Sequence, residues 1–447
     1  MMFIRFPCSL AMLFAIATAA AADRPNVLFL LADDQRADTI HALGNDAIET
    51  PNLDGLVRSG FVCRNAYCMG SVTTPAVCLP SRTMLLSGRS LFQIEPGAKA
   101  SYEVNLPRSF NQAGYVTYHH GKRSNTPLGI QQEFQINKYL ADDQAERRSG
   151  QPGKEIADAA IEFLKSQPGD KPFLMYLAFA NPHDPRVVNH EYRRRYRDAA
   201  MPLPDNFLPL HPFDNGELSV RDEQLAPWPR TAEEIRRQIA DYYAVITHLD
   251  AQIGRVLTAL HEIGEYDNTI IVFSSDHGLA LGSHGLMGKQ SLYEHSMKAP
   301  LIFTGLGIAR GSSDAFVYLH DIFPTLCELA NIDAPTEIDG QSFAPVVRGQ
   351  SQQGRDTMFL VYREVQRAVR QGEWKLVRYP MINETQLFNL RNDPHEIRNL
   401  AAADPARVKA LMKLLARQQR LYGDALPLSS EHPAPREVTA EQLNSQK

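Results

Sequence analysis

Cysteine is scarce, five residues in 447, which is too few for a fold built on disulfides. Charge of one sign is lacking as well: 46 basic side chains face 51 acidic ones, for a formal net charge of −5. No global field therefore recruits nucleic acid or an anionic membrane. The basic cluster "RRRYR" at Arg193 to Arg197 is local and reads as a solvated helix face. Beyond the first residues no apolar run is long enough to span a bilayer. There is no Gly-x-Ser-x-Gly elbow, since "GSHG" at Gly282 to Gly285 has the wrong spacing, and no His-Glu-x-x-His zinc motif. No internal repeat is visible.

What is present begins with "MMFIRFPCSLAMLFAIATAAAADRPN". One arginine, an apolar centre from Leu10 to Ala17 and small residues before Asp23 have the layout of a cleaved secretory signal. Residues 1–22 are expected to be removed. Cys8 follows Arg5, Phe6 and Pro7, a setting that does not suit a lipidated cysteine, so no membrane anchor is expected and the mature chain should be periplasmic or secreted. Four cysteines then remain. Cys63 and Cys68 could pair in an oxidising compartment, and Cys327 in "IFPTLCELA" reads as a small buried hydrophobe. Cys78 needs another explanation.

Four segments share one design, an apolar run of strand length that ends abruptly in polar side chains: "NVLFLLADD", "YVTYHHGK", "FLMYLAFANPH" and "IIVFSSDHG". Continuous apolar runs suit strands covered on both faces, as in a parallel sheet. Helical segments alternate with them. "TPNLDGLVRSG" offers Thr50 as N-cap and Pro51 at the first helical position, and a long amphipathic helix starts at Thr231, where "TAEE" reads as a capping box. The expected fold is α/β, a large mostly parallel sheet sandwiched by helices over residues 23–355. From about residue 356 the pattern changes to short strands and one helix capped by Asp404, predicting a small antiparallel-sheet subdomain to residue 425. Residues 426–447 are polar and proline-containing and are expected to be flexible.

In an open α/β sheet, ligands bind beyond the carboxyl ends of the strands, so the four polar tips should converge. Asp33 and Asp34 are adjacent carboxylates that would repel each other and be costly to desolvate. With Asp276 and His277 at another tip they suggest a divalent cation, and the oxygen-rich set favours a hard one, Ca²⁺ or Mg²⁺. Lys122, His183 and Lys289 lie at or near strand tips; singly each could be a solvated side chain or a turn residue, but with a metal they describe a pocket for a multiply oxygenated anion. Pro80 fits the first helical position, which sets Cys78 just ahead of a helix N-terminus. An activated thiolate is one reading of that position.

"CLPSR", continued by "TMLLSGR", resembles the Cys-x-Pro-Ser-Arg signature of the type I, formylglycine-dependent sulfatases of the alkaline phosphatase superfamily. The resemblance extends in order over nearly the whole mature chain through "PNVLFLLADDQ", "TPNLDGLVRSG", "GK", "SDHG", "GKQSLYEHSMKAPLI" and "LFNLRNDPHE". It implies an alkaline-phosphatase-like fold and hydrolysis of sulfate esters. It further implies that Cys78 is converted to formylglycine (3-oxoalanine) by a formylglycine-generating or sulfatase-maturating enzyme. Asp33, Asp34, Asp276 and His277 match the family's metal ligands, usually for Ca²⁺, with modified Cys78 completing the site. Arg82 matches the arginine that steadies the hydrate of the aldehyde, and Lys122, His183 and Lys289 match the side chains that hold the sulfate and assist the leaving group.

Such parts answer a chemical need. A sulfate ester carries negative oxygens, so cations must neutralise charge as an oxygen nucleophile attacks sulfur. An aldehyde hydrate can expel sulfate through its second hydroxyl, where a plain serine or cysteine would be left as a stable ester. Two departures from the family pattern stand out. "GKRSN" puts Ser124 and Asn125 where a histidine commonly follows the lysine, with His119 or His120 as substitutes, and Leu79 replaces a small residue within the signature. The substrate expected is a sulfated carbohydrate, or another small sulfate ester. The alternatives are a phosphodiesterase or phosphonate monoester hydrolase of the same superfamily and a non-catalytic carbohydrate-binding relative. His183, Asp184, His284, Tyr293 and His295 are candidates to line the pocket.

Overall fold

The computed structural model of the chain describes residues 24–94, 103–123, 126–166, 169 and 171–445. The expected signal, residues 1–22, lies outside them, as do Ser124 and Asn125. Among the described residues no helix is long and apolar enough to cross a membrane.

The strands run in chain order β1 (Asn26–Asp33), β2 (Phe61–Tyr67), β3 (Gly70–Ser71), β4 (Val116–Gly121), β5 (Ile136–Tyr139), β6 (Phe173–Pro182), β7 (Thr269–Ser275), β8 (Lys298–Ala299), β9 (Leu301–Gly305), β10 (Gly311–Tyr318), β11 (Met358–Tyr362), β12 (Gln366–Gln371), β13 (Trp374–Tyr379) and β14 (Glu384–Asn389). The large sheet has the order β10-β2-β9-β7-β1-β6-β4-β5, with β8 beside β2. Its motif-bearing half is parallel: β7, β1, β6 and β4 are consecutive neighbours in one direction. Antiparallel pairing is confined to the surroundings of β9 and β8, so the sheet is mixed.

β1 is buried along its whole length. Its side chains alternate between faces, Val27, Phe29 and Leu31 joining one apolar cluster and Leu28 and Leu30 the other. One face is covered by the helices Pro51–Ser59, Lys154–Ser166 and Ala232–Glu262, through Leu53, Ile156, Phe163, Leu249 and Ile253. The other is covered by Cys78–Ser87, Leu106–Gln112 and Ile322–Leu329, through Met84, Phe110, Phe323 and Leu326. Full burial of each such side chain is worth about 1.5–3 kcal/mol.

Two caps differ from the sequence reading. Thr231 Oγ1 accepts from Glu234 N at 3.2 Å, but the Glu234 carboxylate turns to Arg237 at 2.6 Å, so only half of the capping box forms. Thr50 does not cap its own helix; its hydroxyl accepts from His41 N at 2.9 Å and donates to Asp54 Oδ1 at 3.0 Å. Cys63 and Cys68, which could have paired, are both free and buried.

The C-terminal strands form a second sheet, β14-β13-β12-β11-β3, antiparallel except that β3 joins β11 in parallel. Asp404 caps the helix Pro405–Tyr422, accepting from Arg407 N at 2.9 Å. Leu411 and Leu415 of that helix belong to the same apolar cluster as β1 and β11. The tail departs from expectation: residues 440–445 form a helix, Leu443 is buried, and Asn444 Nδ2 donates to Trp228 O at 2.8 Å. Leu443, partly buried Leu428, Val438 and Ala440 packed on the core, and backbone pairing such as Asp214 N to Arg436 O at 2.9 Å hold a segment whose composition is that of a coil.

Candidate active site

Parallel pairing of β7, β1, β6 and β4 brings their carboxyl ends to one edge, and with them Asp276, Asp33, His183 and Lys122. Two motif glycines are explained by close approach. A Cβ on Gly121 would lie 2.6 Å from Ala178 O, and one on Gly278 would lie 2.1 Å from His295 O. Asp34 has a left-handed backbone, φ 68°. Tyr242 OH donates to its carbonyl at 2.6 Å and its own N donates to Asp276 Oδ1 at 3.1 Å, which fixes the strained turn and directs both carboxylates inward.

Cys78 is the first residue of its helix, not a residue ahead of it, and Pro80 is the third. The first turn of a helix has no partners for its N–H groups, so proline fits anywhere in it; here Ser81 N already bonds Val77 O at 3.0 Å. Ser81 Oγ donates to Asp276 O at 2.7 Å and ties the helix to the tip of β7. Cys78 is buried whereas Leu79 is 37% exposed.

The thiol sits at the centre of the cluster. Lys289 Nζ donates to Cys78 Sγ at 3.1 Å, His277 Nε2 lies 3.2 Å away, and Sγ approaches Asp34 Oδ1 at 3.7 Å. Lys289 also donates to Asp34 Oδ1 at 2.8 Å, while Lys122 pairs with Asp33. Arg82 lies fully buried beneath, its Nε donating to Asp276 Oδ2 at 2.9 Å and its Nη2 3.5 Å from Asp33 Oδ2. His183 Nε2 is 3.9 Å from Asp34 Oδ2. All nine site residues read from the sequence are thus brought together.

Electrostatics follow from this packing. Burial alone would raise the Asp33 and Asp34 carboxyls, but Lys122 and Arg82 beside the first and Lys289 beside the second hold both well below the usual range. Burial, reinforced by the surrounding carboxylates, pushes the Cys78 thiol well up against the pull of Lys289. Without a cation, burial and the carboxylates thus disfavour a thiolate at the helix mouth.

The donor set fits a hard divalent cation. Asp33, Asp34 and Asp276 offer oxygens within 4.8 Å of one another, and Cys78, Asp276 and His277 form a second such group. Three carboxylates and an imidazole suit Ca²⁺ or Mg²⁺, while a thiol is a soft donor at odds with them; an oxygen on the same carbon would match.

Other expectations fail. His119 is held by Asn137 at 2.8 Å and stacks on Tyr176, and His120 lies 3.8 Å from Glu155, so neither contacts Cys78. His284 and Tyr293 are buried and stacked against the second sheet, with half-buried His295 tilted beside them, His284 Nε2 3.0 Å from Glu396 O and Tyr293 OH donating to Gln386 at 2.8 Å. Sequence reasoning missed Asp222, 3.9 Å from Lys289 Nζ, and Tyr242. Asp222 comes from a 3-10 helix, Arg221–Leu225, too short to show a period in the sequence, whereas Tyr242 stands on the buried stripe of a recognised helix and shows its second role only in its hydroxyl.

Residues 25–332, more than half of the chain, match the family model described as Sulfatase. The chain belongs to the sulfatase family. It is thereby a sulfuric ester hydrolase, and residues 282–421 match a second model, N-sulphoglucosamine sulphohydrolase, C-terminal. Among curated relatives of this sulfatase, an arylsulfatase of Clostridium perfringens is 27% identical, the match covering 92% of this chain and 98% of that one. A Delta 4,5-hexuronate-2-O-sulfatase of Bacteroides thetaiotaomicron is 29% identical, over 93% of this chain and 91% of that one. Among solved structures, BT4656 in complex with its substrate D-glucosamine-2-N,6-O-disulfate superposes with a TM-score of 0.76 at 24% identity, covering 92% of this chain and all of the other. That likeness gives the alkaline-phosphatase-like fold.

Proposed function

We propose that this sulfatase is an exported enzyme that removes sulfate from a sulfated carbohydrate, with Cys78 converted to formylglycine and one divalent cation, Ca²⁺, at the strand tips. The observation that carries the reading is the position of Cys78 Sγ, 3.1 Å from Lys289 Nζ and 3.2 Å from His277 Nε2, inside a cluster of three carboxylates. The carbohydrate is favoured by the hexuronate sulfatase among the relatives. We take residues 23–355 as the catalytic unit and 356–425 as a subdomain that buttresses it.

Asp33, Asp34, Asp276 and His277 would hold the cation, which would supply positive charge at the carboxylates that Lys122 and Lys289 engage. When present, formylglycine supplies a geminal diol whose oxygen can attack sulfur and whose second hydroxyl can later expel sulfate. Arg82, fixed between Asp276 and Asp33, holds the base of the site rigid. Lys122 and Lys289, at the strand tips beside Cys78, neutralise the sulfate oxygens. His183 stands at the rim, within 4.8 Å of both Cys78 and Asp34, with Nδ1 2.7 Å from Asp184 O and Nε2 turned toward Asp34. From there it delivers a proton to the leaving sugar oxygen.

The test is a panel of sulfated saccharides and aryl sulfates assayed before and after chelation. Sulfate release from a saccharide that is lost on chelation and restored by Ca²⁺ supports the reading. Fully formylglycine-modified, metal-loaded protein that releases no sulfate from any member of the panel contradicts it.

A further inference from the structure

Two of the catalytic side chains, His183 and Lys289, are each backed by a carboxylate, and one guanidinium spans both carboxylates. Asp184 follows His183 and lies with Oδ1 3.4 Å from His183 Nδ1. Asp222 lies 3.9 Å from Lys289 Nζ and accepts from Gln290 Nε2 at 2.8 Å. Arg221 donates from Nη1 and Nη2 to the two oxygens of Asp184 at 2.6 and 2.9 Å, and from Nε to Asp222 Oδ1 at 2.9 Å. Both carboxylates are buried, while the Arg221 side chain is 58% exposed.

We infer that Arg221 is a positioning residue for sulfate ester cleavage, a clamp that locks the tip of β6, carrying His183, to the loop that carries Lys289. Arg221 touches neither Cys78 nor any metal-ligand candidate among the described residues, so it acts through its neighbours. Its geometry is one that lysine cannot reproduce: a planar fork engages Asp184 with two parallel bonds while Nε and the shared Nη2, 2.6 Å from Asp222 Oδ1, engage the other carboxylate, whereas an ammonium is a single point. Without the clamp, Asp184 and Asp222 would repel each other, and His183 would lose the fixed orientation in which Nδ1 faces Asp184 O and Nε2 faces the reacting centre. A displacement of about 1 Å at such a group can cost on the order of 100-fold in rate.

The inference rests on the functional reading above, in which His183 serves the leaving group. The experiment compares wild type, Arg221→Ala and Arg221→Lys, formylglycine-modified and Ca²⁺-loaded, on phenyl sulfate and 4-nitrophenyl sulfate. A poor leaving group needs the proton more than a good one does. Both variants are expected to lose kcat on phenyl sulfate by about tenfold or more, to lose clearly less on 4-nitrophenyl sulfate, and to keep KM within about twofold. Arg221→Lys with wild-type kcat on both esters would overturn the clamp, since charge alone would suffice. Equal losses on both esters would overturn it in favour of a merely structural role, and a raised KM with unchanged kcat in favour of substrate binding. Wild type inactive on both esters and on the saccharide panel would remove the functional reading itself, and the clamp with it.

Discussion

Lys289 Nζ lies 3.1 Å from Cys78 Sγ and 2.8 Å from Asp34 Oδ1, so one ammonium bridges the residue we propose is modified and a carboxylate of the candidate metal cluster. Burial would lower the pKa of this lysine, yet Asp34 and its neighbours hold it well above the usual value. A permanently charged group so placed can meet negative charge as it develops on sulfate oxygens. Lys289→Ala should lower kcat by about 100- to 1,000-fold without removing the aldehyde at Cys78; steady-state kinetics with mass spectrometry of the same sample check both parts. A loss below tenfold would detach Lys289 from the chemistry.

Arg82 is completely buried between Asp276 and Asp33. Removing one partner of a buried ionic group leaves charge uncompensated, at a cost of about 3–5 kcal/mol. Arg82→Ala in chelator should therefore unfold at clearly lower denaturant than wild type. Added Ca²⁺ should recover part of the difference, because a bound cation supplies positive charge to the same carboxylates.

His211 lies buried, with Nδ1 2.7 Å from Phe213 O and Nε2 3.1 Å from Tyr293 OH. Burial lowers its pKa from 6.5 to about 4, opposed only by the backbone carbonyl. The unfolded chain then binds the proton that the folded chain refuses, so this contribution is complete above about pH 6.5 and is lost as pH falls toward 4. The full loss is on the order of 3 kcal/mol. Thermal midpoints measured from pH 7 to pH 4 should fall, and His211→Gln should flatten the fall; an unchanged slope in the variant would assign the acid sensitivity elsewhere.

The strand tips were legible in the sequence because each motif ends an apolar run, and runs covered on both faces announce a parallel sheet. Asp33, Lys122, His183 and Asp276 could be gathered from that alone. Proline fits the third helical position as well as the first, so Pro80 does not mark the start of the cysteine helix, which lies two residues earlier at Cys78. The fate of His284, Tyr293 and His295 was not legible, since they follow the "SDHG" motif in the chain but turn toward the C-terminal subdomain, where β14 and Glu396 receive them. Asp222 and Arg221 could not be read either. They come from a short 3-10 helix, Arg221–Leu225, too brief to leave a period in the sequence, and the ion pairs it makes after folding leave none either.

The central claim is that Cys78 is not a thiol in the working enzyme. Its most direct test is mass spectrometry of the peptide carrying "VCLPSR" from protein made in its native host. The account predicts an aldehyde or its hydrate at residue 78, with sulfate ester hydrolysis tracking the modified fraction; an unmodified thiol in a preparation that hydrolyses sulfate esters at full rate would contradict it.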